Sequence, residues 1–414
     1  MRDFGGFVRR ARERGEVVVQ PRMGFGEPAR MRAGLAAVAG TAGATAGTIT
    51  VDSYTRLGDY AGALTAGDQL NGYPIVTTGP DTTADVVRGL GQDFQIQVRH
   101  GCPSPLDIVR TMTAAGLYAT EGGPLSYSLP YSRTPVEESV ENWRHTCQWL
   151  ADAREPGVEP HLETFGGCLM GQLCPPELLI AVSVLEALFF RQHGLRSISL
   201  SYTQQTNHTQ DREALLALRV LADEYVPDVD WHVVLYTYMG VFPQTERGAR
   251  LLGRRAAQLA AEGGADRLIV KTVAEAHRIP TIKENVAALR DATNEVHTAA
   301  TSPVHVTGGA VLEDARTLIE SALELSPDAG TAMIRALRRG YLDIPFCLHP
   351  DNPGRSVSRI TSDGRLAWRS VGAMPLRAGV GTAPLTSAAL LADLAHVAVT
   401  YDELATGTEP GEIS

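Results

Sequence analysis

The sequence predicts an α/β protein built as an eight-stranded (β/α)8 barrel, with an N-terminal segment and a C-terminal helical and irregular extension. Three observations predict it. Eight short β-rich runs alternate with helical stretches between residues 48 and 300, and about 250 residues is the usual size of such a barrel. Proline stands near helix starts (Pro105, Pro175, Pro176) and glycine near helix ends (Gly116, Gly194, Gly263), where a missing N–H and a left-handed cap are tolerated. The first β-rich run is followed by Ser53-Tyr54-Thr55-Arg56. A doubly wound open sheet would carry a glycine-rich phosphate loop there.

In chain order, residues 1–47 are expected to cover the barrel mouth, with Ala36–Gly47 small and flexible in character. The expected strands are Thr48–Asp52, Pro74–Thr78, Phe94–Val98, Tyr118–Glu121, Pro160–Phe165, Ser197–Tyr202, Trp231–Tyr238 and Arg267–Lys271. Each is short, rich in β-branched or aromatic residues and bounded by turn signals. The expected helices are Thr83–Leu90, Pro105–Ala115, Val136–Ala153, Pro175–His193, Asp211–Tyr225, Glu246–Glu262 and Ile282–Thr298. Residues 301–414 form the extension, with helices at Leu312–Leu325 and Ala329–Arg339 and irregular sequence after them.

Composition narrows the function. The formal net charge of −10 excludes sequence-independent nucleic-acid binding, which needs a basic face. Five cysteines are scattered without a C-x-x-C pair, which reads as reduced thiols and not as a disulfide frame or zinc site. The charged start, Arg2 to Arg14, lacks the apolar core of a signal peptide. The longest apolar run, Leu178–Phe190, is interrupted by Ser183 and Glu186 and is too short to span a bilayer. A cytoplasmic protein without membrane or metal is expected.

Chemistry in a (β/α)8 barrel sits at the C-terminal ends of the strands. Those ends carry Arg56, Arg99-His100, Glu121 with Tyr127 and Tyr131 beyond it, Phe165, Met239, and Lys271 with Glu275 four residues on. Arg22, in a glycine-containing stretch, can fold over the same rim. Two or three guanidinium groups grip a dicarboxylate bidentately, and a nearby carboxylate holds an ammonium group. Together they describe an acidic amino acid. Taken singly, Arg56 and Arg99 serve equally well as structural ion pairs. Lys271 suits a Schiff base or a simple partner for Glu275, and His100 reads as a structural hydrogen-bonder. There is no H-E-x-x-H and no G-x-S-x-G.

The stretches PRMGFG (Pro21–Gly26), TVDSYTR (Thr50–Arg56), LNGYPIV (Leu70–Val76), QVRHG (Gln97–Gly101), EGGPLSYSLPY (Glu121–Tyr131), IVKT (Ile269–Thr272) with Glu275, and DIPF (Asp343–Phe346) resemble the large, epsilon chain of glutamate mutase, an enzyme also called methylaspartate mutase. The similarity runs in order from about residue 20 to about residue 350. It implies a (β/α)8 barrel and an isomerase that interconverts L-glutamate and threo-3-methyl-L-aspartate by radical fragmentation and recombination. It implies adenosylcobalamin held between the barrel mouth and a small cobalamin-binding subunit, with a homodimer of large subunits inside a heterotetramer. By the same resemblance Arg22, Arg56 and Arg99 bind the substrate carboxylates and Glu121 the ammonium. Tyr127, Tyr131 and Phe165 line the pocket, Arg56, Arg99 and Glu121 form the catalytic set, and Asn71, Met239, Lys271 and Glu275 face the cofactor.

The sequence departs from the family at three places. The glycine-rich stretch after the sixth strand is replaced by Ser201–Asn207, the seventh strand ends Tyr236-Thr237-Tyr238-Met239-Gly240, and Ala274 stands where histidine is usual. Another acidic amino acid as substrate, or a cobalamin-independent lyase or aldolase using Lys271, are the alternatives. The D-x-H-x-x-G motif that ligates cobalamin is absent: Asp230-Trp231-His232 is followed by Leu235 where the glycine belongs. The histidine ligand is therefore expected from the partner subunit.

Overall fold

The computed structural model describes residues 2–91, 93–299, 309–377 and 385–406; the remaining parts of the expected extension, and residue 300 at the expected barrel boundary, lie outside the described residues. Eight parallel strands form one nearly closed barrel: β1 (Val18–Pro21), β2 (Gly47–Thr50), β3 (Ile96–Arg99), β4 (Ala119–Gly122), β5 (His161–Thr164), β6 (Ser197–Thr203), β7 (Asp230–Tyr236) and β8 (Arg267–Val270). Neighbours in sequence are neighbours in space, and β8 returns to pair with β1. A parallel bridge from Val19 to Thr45 brings β1 against the start of β2.

The strand count agrees with the sequence reading, but two assignments change. Pro74–Thr78 is not a strand: Ile75–Thr78 is a single helical turn. Its β-branched side chains suggest a strand, and the local packing overrides that preference. The missing strand is Val18–Pro21, inside the segment expected to cover the mouth. The expected boundary at residue 47 therefore does not mark the start of the barrel.

The helices follow their local signals closely. They are α1 (Phe4–Glu13), α2 (Pro28–Ala39), α3 (Pro80–Val87), α4 (Leu106–Ala114), α5 (Val136–Asp152), α6 (Pro176–Gln192), α7 (His208–Tyr225), α8 (Glu246–Glu262) and α9 (Ile282–Thr298). Thr281 and Glu284 form a capping box at the start of α9, which satisfies two otherwise orphaned donors. After the barrel come α10 (Ala310–Leu323), α11 (Ala329–Arg339), a hairpin of β9 (Ser356–Ile360) and β10 (Leu366–Val371), and α12 (Ser387–Thr406). The hairpin and α12 occupy sequence expected to be irregular. Among the described residues no helix is long and apolar enough to cross a membrane.

The extension braces the barrel mouth. Cys347 Sγ donates to Leu129 O at 3.3 Å, His349 Nε2 meets Thr134 O at 2.9 Å, and Val136 N donates to Asp351 Oδ2 at 2.8 Å. Asp343, of the DIPF stretch, accepts from the backbone N–H groups of Gly354, Arg355 and Ser356. It shapes the turn into β9 and is no part of a ligand site.

The barrel interior is polar, although branched aliphatic layers are usual there. Gln20, Gln97, Glu163, Ser199 and Arg267 are all fully buried. Arg267 Nη2 pairs with Glu163 Oε2, Arg267 Nη1 donates to Gln20 Oε1 at 2.6 Å, and Gln97 Nε2 donates to Glu163 Oε2 at 3.0 Å. Below them α1 closes the opposite end from the mouth: Phe4 stacks on His161 at 5.1 Å and under the Arg267 guanidinium at 5.0 Å. Removing one partner of such a pair leaves an uncompensated buried charge. Glu163→Leu is expected to lower stability by about 3–5 kcal/mol. Chemical denaturation measures this, and a loss below about 1 kcal/mol would show that the interior tolerates the lone cation.

Candidate active site

The rim residues converge as the strand order dictates. Arg22 directly follows β1, Arg56 ends a short helix after β2, Arg99 ends β3 and Glu121 lies in β4. Phe165 follows β5, Met239 follows β7, and Lys271 follows β8. With Thr50, His100, Tyr127 and Tyr131, the first six of these line one cleft of about 80 Å³. A larger groove of about 980 Å³ shares Arg56, Gly101 and Tyr131 with it.

Each arginine is held by local structure. Arg22 Nη1 pairs with Glu275 Oε1 at 3.0 Å. It is fixed to a barrel strand, which corrects the expectation that it folds over the rim on a separate cover. A Cβ at Gly24 would meet Thr50 O at 2.3 Å, so only glycine lets this stretch pass along β2. Asp52 Oδ1 accepts from Tyr54 N and Thr55 N and starts the helix that carries Arg56. Arg56 Nε donates to Val51 O at 2.8 Å. Burial lowers the pKa of Arg56, and Arg22 and Arg99 push in the same direction, so an arriving anion is favoured.

Glu121 is 2% exposed and accepts three hydrogen bonds. Arg99 Nε donates to its Oε2 at 2.5 Å, Tyr236 Oη lies 2.8 Å from the same oxygen, and Tyr127 Oη donates to Oε1. Three buried donors on cleft-lining residues have no hydrogen-bond partner among the described residues: Thr50 Oγ1, Arg99 Nη1 and His100 Nε2. His100 Nδ1 accepts from Cys102 N at 3.0 Å, which leaves the proton of a neutral ring on Nε2. Burial, with Arg56 and Arg99 behind it, pushes the His100 pKa down to about 3. The His100 ring is therefore neutral near neutral pH. The sequence reading leaves it outside the site, although its position directly after Arg99 is the available signal.

The loop after β4 depends on Glu186, the one charged residue inside the apolar run of α6. Its carboxylate accepts from Leu125 N, Ser126 N, Ser126 Oγ, Phe165 N and Gly166 N at 2.9–3.3 Å. It thus ties the turn carrying Tyr127 to the strand end carrying Phe165, whose rings meet at 5.0 Å. A Cβ at Gly123 would lie 2.1 Å from the Glu186 carboxylate. Burial pushes the Glu186 carboxyl up to about 7, against the pull of these donors.

Lys271 Nζ pairs with Glu275 Oε1 at 3.0 Å and lies 5.2 Å over the Phe242 ring. Burial lowers Lys271 to about 8, with Glu275 opposing the shift. Asn71 lies outside the cleft wall: its Oδ1 accepts from Ser53 N at 3.0 Å and braces the Arg56 helix. His232 lies towards the α1 end, stacked on His161 at 5.0 Å. The altered stretch after β6 contributes nothing to the cleft wall. Tyr202 Oη and Gln205 N bond to Asp211, and Thr206 and Asn207 bond to the hairpin turn.

Three guanidinium groups and a buried carboxylate thus line one cleft at the C-terminal face of the barrel, the end at which enzymes of this fold carry their active sites. The chain matches the methylaspartate mutase E chain (MutE) family over residues 1–384. It belongs to that family, and the family is one of isomerases. The glutamate mutase epsilon subunit of Halobacterium salinarum is 33% identical over 343 residues, covering 79% of this chain and 71% of that protein. The protein of the same name from Desulfitobacterium hafniense is 32% identical over 347 residues, with the same coverage. That from Yersinia enterocolitica is 31% identical over 348 residues, covering 79% and 72%.

Glu186→Gln keeps the volume and turns an amide N–H2 towards backbone donors. Its stability is expected to fall by about 1.5–3 kcal/mol, the worth of a hydrogen bond to a charged group, as read by denaturant midpoints. An unchanged midpoint would mean that the two loops are held elsewhere.

Proposed function

We propose that this chain is the substrate-binding subunit of an adenosylcobalamin-dependent mutase that interconverts L-glutamate and threo-3-methyl-L-aspartate. The observation that carries the reading is a set of buried, unpartnered donors on cleft-lining residues, Thr50 Oγ1, Arg99 Nη1 and His100 Nε2, in a cleft that also holds Arg22 and Arg56. Donors left unpaired by the protein call for acceptors on a ligand. Two carboxylates supply them. Glu121, the carboxylate of the cleft wall, then receives the ammonium group. The cleft adjoins the larger groove through Arg56, Gly101 and Tyr131, and that groove has room for part of a larger group.

The rim residues fit an adenosyl group. Lys271 Nζ offers a donor and Glu275, 18% exposed, an acceptor, which together suit the vicinal hydroxyls of a ribose. This reading also assigns Met239 and Asn71 to the cofactor. When bound, adenosylcobalamin supplies the radical that removes a substrate hydrogen. The chain's own residues hold the two carboxylates through fragmentation and recombination, orient the ammonium at Glu121, and exclude water with Tyr127, Tyr131 and Phe165. His232 lies away from the mouth, so the histidine ligand of the cobalt belongs to a small partner subunit. A Schiff base at Lys271 is not favoured, because its amine is held by Glu275 outside the cleft wall.

Mixing the chain with a small cobalamin-binding subunit and adenosylcobalamin should convert L-glutamate to 3-methylaspartate, followed by NMR. The chain with cofactor alone should be inactive. Conversion of a different acidic amino acid in place of glutamate would overturn the substrate assignment.

Lysine cannot reproduce the guanidinium fork. Arg56→Lys, Arg99→Lys and, because it is anchored to β1, Arg22→Lys should each fold normally and lose roughly ten- to a hundredfold in kcat/KM. If all three stay within about twofold of wild type, a loss under roughly 0.5 kcal/mol, the dicarboxylate clamp is wrong.

Lys271 is charged below its pKa of about 8, so its pairing with Glu275 is complete at neutral pH and lost as pH rises through that value. Cofactor affinity should therefore fall above about pH 8, and Lys271→Arg should remove that alkaline limb. A limb of the same shape in the arginine variant would assign it to another group.

A further inference from the structure

Tyr236 closes β7 one layer below the cleft and is 2% exposed. It does not line the cleft, yet three cleft residues rest on it. Its Oη lies 2.8 Å from Glu121 Oε2, its ring lies 4.9 Å from the centre of the Arg99 guanidinium, and Phe165 meets it edge-on at 5.6 Å and 90°. The same Oη also touches Glu163 Oε1.

A phenol has one proton, and an ionised carboxylate only accepts. Tyr236 can therefore donate to Glu121 or to Glu163, one at a time. Glu163 does not depend on it, because its other oxygen takes Arg267 Nη2, Gln97 Nε2 at 3.0 Å and Ser199 Oγ at 3.2 Å. Glu121 Oε2 has Arg99 Nε besides Tyr236.

We infer that Tyr236 is a positioning residue for ammonium recognition: its hydroxyl donates to Glu121 Oε2 and holds that carboxylate in one orientation with and without an ammonium group bound, while Glu163 is met by its other donors. Glu121 keeps one orientation in both states, so nothing has to be rebuilt when ligand arrives. The ring meanwhile supports the Arg99 guanidinium. This inference rests on the reading of Glu121 as the ammonium-binding carboxylate.

The test uses two ligands that differ only in the ammonium group, L-glutamate and glutarate. Each is titrated by calorimetry into the full chain as wild type, Tyr236→Phe, Glu121→Gln and the double variant. Phenylalanine keeps the ring under Arg99, and Glu163 keeps its three other donors; melting curves check that the fold is retained. Tyr236→Phe should weaken L-glutamate binding about tenfold and leave glutarate within about twofold, as loss of one hydrogen bond to a charged group requires. In the Glu121→Gln background it should cost no further glutamate affinity. An equal loss for both ligands, or full glutamate affinity in Tyr236→Phe, overturns the inference. Wild-type chain that binds neither ligand refutes instead the function on which it rests.

Discussion

Arg267 and Glu163 meet inside the barrel with no solvent on either side chain. Such a pair recovers its desolvation cost only when the remaining donors and acceptors around it are also met. Here they are met by Gln20, Gln97 and Ser199, each from a different strand. The interior is thus one connected unit: Phe4 of α1 packs against Arg267 from below, and Tyr236 lies between Glu163 and Glu121 at the mouth. A network of this kind tolerates few arrangements, because a half-satisfied version costs more than an apolar core. It fixes the height and rotation of Glu121 and Arg99 before any ligand is present. The site is preorganised from below, by the same groups that fill the barrel.

The loops above the site are fixed by another buried carboxylate, Glu186. It stands in α6 among leucine, valine and phenylalanine and faces the backbone of two loops. The extension then braces the loop after β4 from outside through Cys347, His349 and Asp351. The hairpin takes up the altered stretch after β6, where Gln210 bonds both backbone groups of Leu366. The departure from the family pattern at Thr203–Asn207 is therefore matched to the extension and not to the cleft.

Most helices were legible because their ends carry local signals: Pro175-Pro176 before α6, Thr281 with Glu284 before α9, Gly263 after α8. The site residues were legible because barrel topology turns a list of strand ends into a place. Val18–Pro21 was less legible, although Val17–Val19 is β-branched, because the run is short, ends in proline and becomes a barrel strand by pairing with β8. Ile75–Thr78 misled for the opposite reason. The polar interior was written in plain view as alternation, as in Ser197-Ile198-Ser199-Leu200-Ser201. That pattern ordinarily marks a strand with its polar face in water. In this barrel the polar face is turned inward and the apolar face meets the helices, an inversion that periodicity alone cannot reveal. Tyr236 and Glu186 were missed because each acts through contacts far apart in sequence.

Arg22 directly follows β1, Arg56 ends the short helix after β2 and Arg99 ends β3, three consecutive staves of one barrel. Adjacent strands lie about 4.8 Å apart, and hydrogen bonding across the sheet makes that interval nearly inextensible. The backbone roots of Arg22 and Arg99 are therefore spaced in strand widths, and Arg56 starts from the short helix above β2. The barrel wall works as a gauge. It fixes where the three side chains begin, before any of them reaches the cleft.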